Sequence, residues 1–424
     1  MAQPPAPAPP EKPAARVSLV LTLPEAMERA KANSPEILSA NIDALLARQD
    51  ALQAKAALLP VATGFSQYIY TQGNQTLTGT YVSNDGVHVY NDQFQVHGDL
   101  YAPSKIADYH KAQLASAVAQ AKTELAARGL IATVVSDYYA LVSANRKYAN
   151  AQQSLREAQT FLDITRKLER GGEAAHYDTV KAESEVLDRQ RDVQEAQLAI
   201  DKARLNFAVL LFPNFRQDYS VADDLDHSPE LPAFDQIQAM ASRNSPEIRA
   251  AQATVEQQRY ELKSVRAEYL PSLSFDYFWG INANEFAIYD KYGHDNLGSM
   301  AQAQLNIPIW NWGATRSRVK QSELRIQQAR NDLSLAQRQL LADLNEYYLE
   351  AQVATAQIAT LRRSLELANE ALRLTVLRYQ AGEGSVLEVV DAQTTAVAAR
   401  NAYEDGMVRY RMAVANLETL TGAF

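Results

Sequence analysis

Hydrophobic and polar positions change their spacing in a fixed order along this chain, and the whole order occurs twice. Each occurrence opens with the motif Asn-Ser-Pro-Glu-Ile, at residues 33–37 and again at residues 244–248. A serine that caps a helix, followed by a proline in the first turn, predicts a helix start at each motif. Each helix should run for about 24 residues and end before Pro60 or Pro271, because the residue before a proline disfavours helical backbone.

Beyond each of these prolines, apolar and polar residues alternate at every second position, which predicts strands with one apolar and one polar face. Polar segments rich in turn residues interrupt the alternation at Gly73–Gly86 and at Asn282–Gly298. Each half of the chain is therefore expected to form one β-hairpin. The clearest apolar face in the second half comprises Leu273, Phe275, Tyr277, Trp279 and Ile281.

Two long stretches without proline follow the hairpins, from Ser104 to Phe212 and beyond Ile309 to the end of the chain. In the second stretch, apolar residues recur every three or four positions from Ile326 to Tyr379, the pattern of a coiled-coil seam. A single helix over such a stretch would measure roughly 100 Å at about 1.5 Å per residue. Glycines at 171–172 and 382–384 favour the left-handed backbone that ends a helix, so each long helix should turn back there into another.

Landmarks of the two halves keep a nearly constant separation of about 210 residues, from the Asn-Ser-Pro motifs to the glycine turns. This regularity predicts an internal duplication. The predicted division is an N-terminal Pro/Ala-rich lead-in at 1–22, repeat 1 at 23–212, an equatorial connector at 213–232 and repeat 2 at 233–424. Repeat 1 should contain a helix, a hairpin at about 61–101 and long helices at about 103–170 and 176–211. Repeat 2 should contain a helix, a hairpin at about 272–309 and long helices at about 313–380 and 386–420.

Composition and charge exclude several classes of function. The net charge of −9 argues against a nucleic-acid partner, because binding phosphates requires a basic surface. The chain contains no cysteine, so thiol catalysis, thiolate metal sites and disulfides are excluded. Its six histidines are scattered, and it has neither a phosphate-binding glycine loop nor a nucleophile elbow. We therefore expect no enzymatic activity, no metal site and no cofactor.

Any membrane crossing is expected to use strands. No window approaches about 18 consecutive apolar residues, so the sequence predicts no membrane-spanning helix. The first residues have neither the basic segment nor the apolar core of a signal peptide, and we expect an extended lead-in there. Strands with one apolar and one polar face remain as candidates for spanning a bilayer.

The number of predicted strands requires several chains if the sheet lies in a membrane. Unpaired strand edges are intolerable in lipid, and four strands are too few to close a barrel. A cyclic trimer would supply twelve strands and twelve long helices. The predicted fold class is an α+β membrane protein, a trimeric 12-stranded β-barrel continuous with a long 12-helix α-barrel, serving as an exit duct. The alternatives are a soluble coiled-coil scaffold with β inserts and an enzyme built on a helical barrel.

The whole pattern resembles the TolC-type outer-membrane efflux protein family, the outer-membrane factors. The resemblance extends from about Leu23 to Leu420 and depends on the duplicated Asn-Ser-Pro-Glu-Ile motifs, the Leu-Pro strand entries and the turn sequence from Gly382 to Ala392. It implies a homotrimer in the outer membrane of a Gram-negative bacterium, in contact with its lipid and extending into the periplasm. It also implies a periplasmic adaptor (membrane fusion) protein and an inner-membrane transporter as partners, in multidrug efflux, metal efflux or type I secretion.

The turns between the long helices are the candidate gate. Glu388 and Asp391 lie three residues apart at a helix start, and threefold symmetry would make them two carboxylate rings that favour cations at a narrow aperture. Alternatively, both are solvated acids favoured by the helix dipole. The resemblance implies the entrance role for these acids and a gate-closing role for Asp178 and Tyr379. The last two have alternative roles as a helix-start acid and a packed seam aromatic.

One position departs from the family pattern. Some relatives place a gate arginine where this chain has Gly384, so we expect a latch to Asp178 that is missing, weaker or supplied by another residue such as Arg170. The acids at the turns predict an adaptor with a basic tip. The turn residues expected to dock the adaptor are Gly171, Gly172, Glu173, Gly382, Glu383 and Gly384.

Aromatic residues and an acidic run complete the candidates. Trp310 and Trp312 are expected to pack where a strand becomes a helix. The run Asp223-Asp224-Leu225-Asp226 is expected to lie in a solvated connector and not to bind a metal ion. Aromatic residues expected in the membrane-interface belt are Tyr101, Tyr277 and Trp279.

Overall fold

The computed structural model describes residues 19–70, 88–214, 217–226 and 229–422. Its elements follow one order twice: a short strand, two helices, two long strands and two very long helices. The first set comprises β1 (Leu19–Leu21), α1 (Leu23–Asn33), α2 (Pro35–Ala56), β2 (Val61–Tyr70), β3 (His88–Tyr101), α3 (Pro103–Gly171) and α4 (His176–Leu211). The second set comprises β4 (Tyr219–Val221), α5 (Phe234–Asn244), α6 (Pro246–Ala267), β5 (Ser272–Ala283), β6 (Leu297–Asn306), α7 (Ala314–Gln380) and α8 (Val386–Thr421).

The Asn-Ser-Pro motifs start helices α2 and α6, as the sequence predicts. Ser34 accepts a hydrogen bond on its Oγ from the backbone N–H of Ile37 at 3.3 Å, the geometry of a helix N-cap. Pro35 and Pro246 are the first helical residues, where the missing backbone N–H would have no partner in any case. Both helices have 22 residues and end before the prolines that precede β2 and β5.

The long helices are continuous over their whole length. α3 has 69 residues and α7 has 67, so each measures about 100 Å at a rise of about 1.5 Å per residue. α4 and α8 have 36 residues each. Proline occurs in these four helices only as the first residue of α3, where it breaks no hydrogen bond.

Two compact units divide the chain, and each draws on both sets of elements. One unit combines residues 38–125 with residues 246–339 and contains the long strands. The other unit contains the described parts of 1–37, 126–245 and 340–424, including the turns between the long helices. These units reflect spatial compactness, and the division of the sequence into two repeats stays a prediction.

The long strands form one antiparallel sheet in the order β2-β3-β5-β6. β3 and β5 pair at its centre, which joins the two hairpins into one sheet. Within the described residues, β2 and β6 are the outer strands, and each pairs on one side only. The loop predicted at Gly73–Gly86 lies outside the described residues, whereas the second loop occupies residues 284–296.

The register gives this sheet two chemically different faces, as predicted. Residues directly paired between antiparallel strands lie on the same face. Phe94 pairs with Trp279 and Val96 with Tyr277, so these four residues share the apolar face. The opposite face is mainly polar and carries Gln93, Gln95, His97, Asp276, Gln302 and Gln304.

An aromatic core lies in the other unit, around the middle of α3. Tyr138 and Tyr139 of α3 and Phe207 of α4 are each at most 2% exposed. The rings of Tyr138 and Phe207 meet edge to face with their centroids 6.1 Å apart, a favourable aromatic geometry. Beside this core, β1 and β4 pair in parallel, and Leu21 of β1 is also buried.

One stretch of α3 departs from an expectation. An 18-residue window in this helix has a mean hydropathy of 1.3, enough by length and composition for a membrane span, although none was predicted. In that window 44% of the residues are buried inside the chain. The buried α3 residues between Leu130 and Val142 belong to the core shared with α1, α4 and β1, so packing within the protein accounts for their apolar character.

The predicted packing of Trp310 and Trp312 at the junction of β6 and α7 is wrong. The two residues are 75% and 90% exposed, and their rings meet edge to face with centroids 5.9 Å apart. Left-handed backbone at Trp312 and Gly313 turns the chain at this junction.

Candidate functional site

Two helix turns bring together most of the predicted gate residues. Tip 1, residues 171–175, joins α3 to α4, and tip 2, residues 381–385, joins α7 to α8. Each turn contains a glycine with a positive φ, Gly172 at 78° and Gly382 at 77°. Side chains rarely adopt this backbone conformation, so both glycines are needed to reverse the chain.

The same backbone hydrogen bonds close both turns. The N–H of Glu173 donates to the carbonyl of Leu168 at 2.8 Å, and that of Glu383 donates to the carbonyl of Arg378 at 2.9 Å. In each turn the N–H of the left-handed glycine donates to the carbonyl three residues earlier. This pair of bonds is the Schellman motif, which satisfies the free carbonyls at a helix end.

At tip 1, side chains on either side of the turn contact each other. His176 Nδ1 lies 2.7 Å from Glu169 Oε1 across the turn. The Thr179 hydroxyl and the His176 ring lower the pKa of Glu169 below its ordinary value. α4 starts after Ala175, whose side chain cannot cap a helix. The carboxylate of Asp178, the third residue of α4, is therefore not engaged by a capping side chain.

Tip 2 is closed by a serine cap instead. Ser385 Oγ accepts a hydrogen bond from the N–H of Glu388 at 3.3 Å and donates one to Glu388 Oε1 at 3.2 Å. Arg378 lies 3.5 Å from the same carboxylate and donates to the carbonyl of Glu383 at 3.0 Å. Glu388 is thus partly neutralised. Asp391 is exposed and has no ion-pair partner in the part of the chain that the structure describes.

One hydrogen bond, here called the tip latch, connects the two sets of elements at the turns. Tyr379 Oη donates to Asp178 Oδ2 at 3.1 Å. Tyr379 is only 5% exposed, and its ring meets Phe161 edge to face with centroids 5.1 Å apart. Burial raises the pKa of Tyr379, and the Asp178 carboxylate raises it further. The hydroxyl therefore keeps its proton and remains a donor at neutral pH.

No arginine reaches Asp178 among the described residues. Arg170 forms no ion pair with it, and the position expected from the family pattern is Gly384. A Cβ at Gly384 would lie 3.2 Å from the backbone N of Tyr379, so the end of α7 crowds this position. Asp178 instead accepts a hydrogen bond from the Tyr379 hydroxyl.

A second cluster, the collar cluster, fixes the segment that connects the two sets of elements. Arg146 of α3 donates to Asp223 through Nε at 2.6 Å and through Nη2 at 2.8 Å. It also donates to Glu404 of α8 at 3.0 Å and lies 3.1 Å from Asp226. The Arg146 side chain is only 17% exposed. Asp223 and Asp226 remain 43% and 75% exposed, which agrees with the predicted solvated connector, but their ion pairs with Arg146 were not predicted.

Arg411 of α8 extends the collar cluster. Its Nη2 donates to Asp224 Oδ2 at 2.5 Å, and Tyr139 Oη donates to the same oxygen at 3.3 Å. Burial raises the pKa of Glu404. Burial also acts on Asp223, but the hydrogen bonds that Asp223 accepts from Arg146 and from the backbone N–H of Leu225 outweigh it, so the pKa of Asp223 is lowered. Among the described residues, no group of three or more His, Asp or Glu side chains is arranged to hold a metal ion.

The predicted interfacial aromatics lie at different levels of the sheet. Tyr101 is the last residue of β3 and pairs with Leu273, near the start of β5. Tyr277 and Trp279 lie further along β5 and are 40% and 50% exposed on the apolar face. Tyr101 therefore lies at the end of the sheet next to α3, and Trp279 lies closer to the loop between β5 and β6.

This chain is similar over most of its length to curated secretion, outer-membrane and efflux proteins. The protease secretion protein PrtF of Dickeya chrysanthemi is 23% identical over 411 residues, which cover 94% of this chain and 87% of PrtF. The outer membrane protein TolC of Vibrio cholerae is 22% identical over 424 residues, which cover 94% of this chain and 90% of TolC. The toluene efflux pump outer membrane protein TtgC of Pseudomonas putida is 22% identical and covers 86% of this chain and 75% of TtgC.

Solved structures share the fold at low sequence identity. The outer membrane protein VceC of Vibrio cholerae superposes with a TM-score of 0.84 at 17% identity, covering 94% of this chain and 96% of VceC. The outer membrane channel CmeC of Campylobacter jejuni superposes with a TM-score of 0.82 at 16% identity, covering 94% of this chain and 85% of CmeC. The predicted TolC-type fold is thereby confirmed for the protomer.

The model of the outer membrane efflux protein family matches residues 26–211 and again residues 238–423. Together these matches cover most of the sequence, and each includes one complete set of two long strands and two very long helices. The chain is therefore a member of the outer membrane efflux protein family, and by this membership an outer-membrane protein.

Proposed function

We propose that this chain is one protomer of a trimeric exit duct through which small molecules or polypeptides leave a Gram-negative cell. The observation that carries the proposal is the amphipathic four-stranded sheet, whose outer strands β2 and β6 each pair on one side only among the residues that the structure describes. Strand edges must be paired in lipid, so such a sheet has to be completed by other copies of the chain.

Three copies would close the sheet into a barrel of twelve strands, an even number that leaves room for an aqueous lumen. The apolar face with Phe94 and Trp279 would contact lipid, and the polar face would line the pore. On that polar face His97 Nδ1 lies 2.6 Å from Asp276 Oδ1, so this pair would carry part of the lumen surface. The four long helices of each copy would give a twelve-helix tunnel.

The repeated order of elements supports an origin by internal duplication. We propose that repeat 1, residues 23–212, and repeat 2, residues 233–424, descend from one unit. Both contain a capped helix, a hairpin and two long helices joined by the same glycine turn. Residues 213–232 would then be the connector, which the collar cluster fixes to α3 and α8.

The tip latch is the proposed closing contact of the periplasmic gate. A hydrogen bond to a charged group contributes about 1.5–3 kcal/mol, and Tyr379 supplies one such bond to Asp178 in each protomer. A bidentate ion pair from an arginine would add charge and a second bond. We therefore propose that this gate is held more weakly than one with an arginine latch.

Of the two acids at the start of α8, Glu388 and Asp391, Asp391 is the better candidate for a residue that selects cations. Its carboxylate is exposed without an ion-pair partner among the described residues, whereas Glu388 is engaged by Ser385 and Arg378. A ring of three free carboxylates at a narrow entrance would attract cations and repel anions.

The tips are the proposed docking surface for the adaptor. Glu173 and Glu383 are both exposed at the turns, so the matching adaptor should present a basic tip. An inner-membrane transporter would complete the assembly. PrtF is named for protease secretion and TtgC for toluene efflux. Because relatives of this one fold are named for such different cargo, we propose that the transporter and not the duct selects the cargo.

Mass measurement and planar-bilayer recording on the detergent-purified chain test the proposal together. We expect a particle with the mass of three chains that dissociates on heating and gives discrete single-channel currents. We also expect Asp178→Ala to raise the conductance, because it removes the latch acceptor. A particle that has the mass of one chain and stays in solution without detergent contradicts the duct. An unchanged conductance in Asp178→Ala contradicts the proposed latch alone.

A further inference from the structure

An apolar segment at the junction of β6 and α7 is exposed in a way that nothing inside the protomer accounts for. Ile309 is 90% exposed, Trp310 75% and Trp312 90%. Two of them are tryptophans, which have the largest of all side chains, and none of the three belongs to a core cluster of the described residues. Contiguous exposed apolar surface of this kind marks contact with another molecule or with lipid.

The backbone holds this exposed arrangement in place. Trp312 has a φ of 55°, and within the described residues no other non-glycine residue has a positive φ. Gly313 follows with a φ of 81°, so two successive left-handed residues turn the strand into the helix. Left-handed backbone is unfavourable for a bulky residue and persists where the surroundings demand it. A role for the Trp312 indole outside the protomer would explain why this residue is not a glycine or an asparagine.

The position of the segment along the sheet identifies its surroundings. Leu305 pairs with Leu273, which also pairs with Tyr101, so these three residues form one level at the end of the sheet. β6 has 10 residues, and a strand of about 9–11 residues spans the hydrocarbon layer when tilted. Residues 309–312 begin three positions beyond its last residue, Asn306. They would therefore lie at the boundary between hydrocarbon and headgroups.

The chemistry of the segment fits this boundary. An indole has a large apolar ring and one N–H donor, which favours the interface between acyl chains and headgroups. α7 has no acidic residue in its first turn, and Arg316 is exposed there. Glu268 accepts hydrogen bonds from Thr315 and Arg318, so one anion already lies at this helix start. Arg316 stays exposed beside it and would face anionic phospholipid headgroups at the proposed boundary.

We propose that Trp310 and Trp312, together with Ile309, anchor the protein in the headgroup boundary of the membrane leaflet on the helix side of the sheet. The occupant of this surface is thus a phospholipid leaflet. This inference rests on the proposed membrane location of the sheet and extends it. It adds a set of interfacial aromatics to Tyr277 and Trp279, at the level just beyond Tyr101.

Tryptophan fluorescence tests the anchor, since the chain contains only three tryptophans. Trp279→Phe leaves the pair at 310 and 312, and the double variant Trp310→Phe/Trp312→Phe leaves Trp279 as a matched control. Both would be reconstituted into phosphatidylcholine–phosphatidylglycerol vesicles, with bromine on the acyl chains near the headgroup or near the chain end. Acrylamide in the aqueous phase serves as the opposing quencher.

We expect the Trp310–Trp312 pair to lose most of its emission to bromine near the headgroup, less to bromine near the chain end, and little to acrylamide. Strong quenching by acrylamide with no response to bromine would overturn the anchor and place the indoles in water. Shielding from both quenchers would also overturn it and assign the surface to a second copy of the chain. If Trp279 responds to bromine in either outcome, only the anchor fails. If neither variant responds to bromine, the proposed membrane location of the sheet fails with it.

Discussion

Tip 1 and tip 2 have the same backbone and use their side chains differently. Both reverse the chain through a left-handed glycine and the same two backbone hydrogen bonds. At tip 1, Glu169 contacts His176 within the turn. The residue at the corresponding position of tip 2 is Tyr379, which leaves its own turn and donates to Asp178 beside the other. The backbone of both tips reverses the chain in the same way. The side chains determine that Tyr379, beside tip 2, contacts a residue beside tip 1.

The helix caps explain why the contact runs in this direction. Asp178 and Glu388 occupy the same third position of α4 and α8. Ser385 engages Glu388, whereas Ala175 cannot engage Asp178. The acid that has no capping partner is the one that accepts the latch. A difference between serine and alanine at a helix start thus separates an acid engaged within its own turn from an acid that accepts a hydrogen bond from the other set of elements.

Tyr379→Phe should produce the largest effect. It removes the donor to Asp178 and keeps the ring against Phe161, so the closed state should lose about 1.5–3 kcal/mol per protomer. Single-channel recording should detect a higher conductance or a larger open fraction.

The matched control for this variant is Glu169→Gln, at the corresponding position of tip 1. It disturbs only contacts within tip 1 and the start of α4, with His176 and Thr179, so the conductance should stay at the wild-type value. Equal increases in both variants would mean that the two tips contribute alike to closure, and the comparison would fail.

Gly172→Ala and Gly382→Ala should each cost about 1–2 kcal/mol of unfolding free energy, since both place a Cβ in left-handed backbone. At both positions a Cβ would meet no atom within 4 Å, so strain alone decides the cost. Urea unfolding in detergent measures it. A cost confined to one glycine would disprove the equivalence of the two backbones.

Charge removal at tip 2 should separate its two acids. Asp391→Asn should lower the preference of the channel for cations, because it removes a free carboxylate. Glu388→Gln should change it less, because Arg378 already offsets that charge. Reversal potentials in a salt gradient measure both. A larger shift from Glu388→Gln would show that the serine cap leaves its charge available to the pore.

The smallest effect concerns pH at tip 1. The pKa of Glu169 lies below its ordinary value of about 4.3, so the contact with His176 is fully present above that pH. It is lost as the pH falls through the lowered pKa. Hydrogen exchange of the amides at residues 172–176 should therefore accelerate only in acid. Glu169→Gln should abolish this acceleration, and its persistence in that variant would assign it to another group.

Local chemistry was predictable from the sequence and distant contacts were not. The caps at Ser34 and the glycines of the tips act within a few residues, so their spacing was sufficient to predict them. Asp178 and Tyr379 lie 201 residues apart, and only the family resemblance pointed to both. The sequence gives no direct signal that Tyr379, one of many seam residues, has its hydroxyl beside a carboxylate.

One wrong prediction and one missed set of contacts have the same origin. The ion pairs of the acidic run at 223–226 were not predicted, because its arginine partners, Arg146 and Arg411, lie far away in sequence. Trp310 and Trp312 were expected to be packed at the junction of a strand and a helix, yet both are exposed beside left-handed backbone at Trp312. In both cases the environment of a side chain was set by parts of the fold that local spacing does not encode.

Closure of the sheet by neighbouring copies is tested most directly by crosslinking its outer strands. The chain has no cysteine, so pairs can be introduced cleanly, combining Gly64→Cys or Ser66→Cys on β2 with Ala301→Cys or Ala303→Cys on β6. Within one protomer β3 and β5 lie between these two strands, so the strands are roughly 14 Å apart and their thiols cannot form a disulfide. We predict that oxidation of at least one pair in membranes yields a covalent product of three chains and nothing larger. Products that contain a single chain for every pair, or an open ladder of ever larger products, would contradict a barrel closed by three copies.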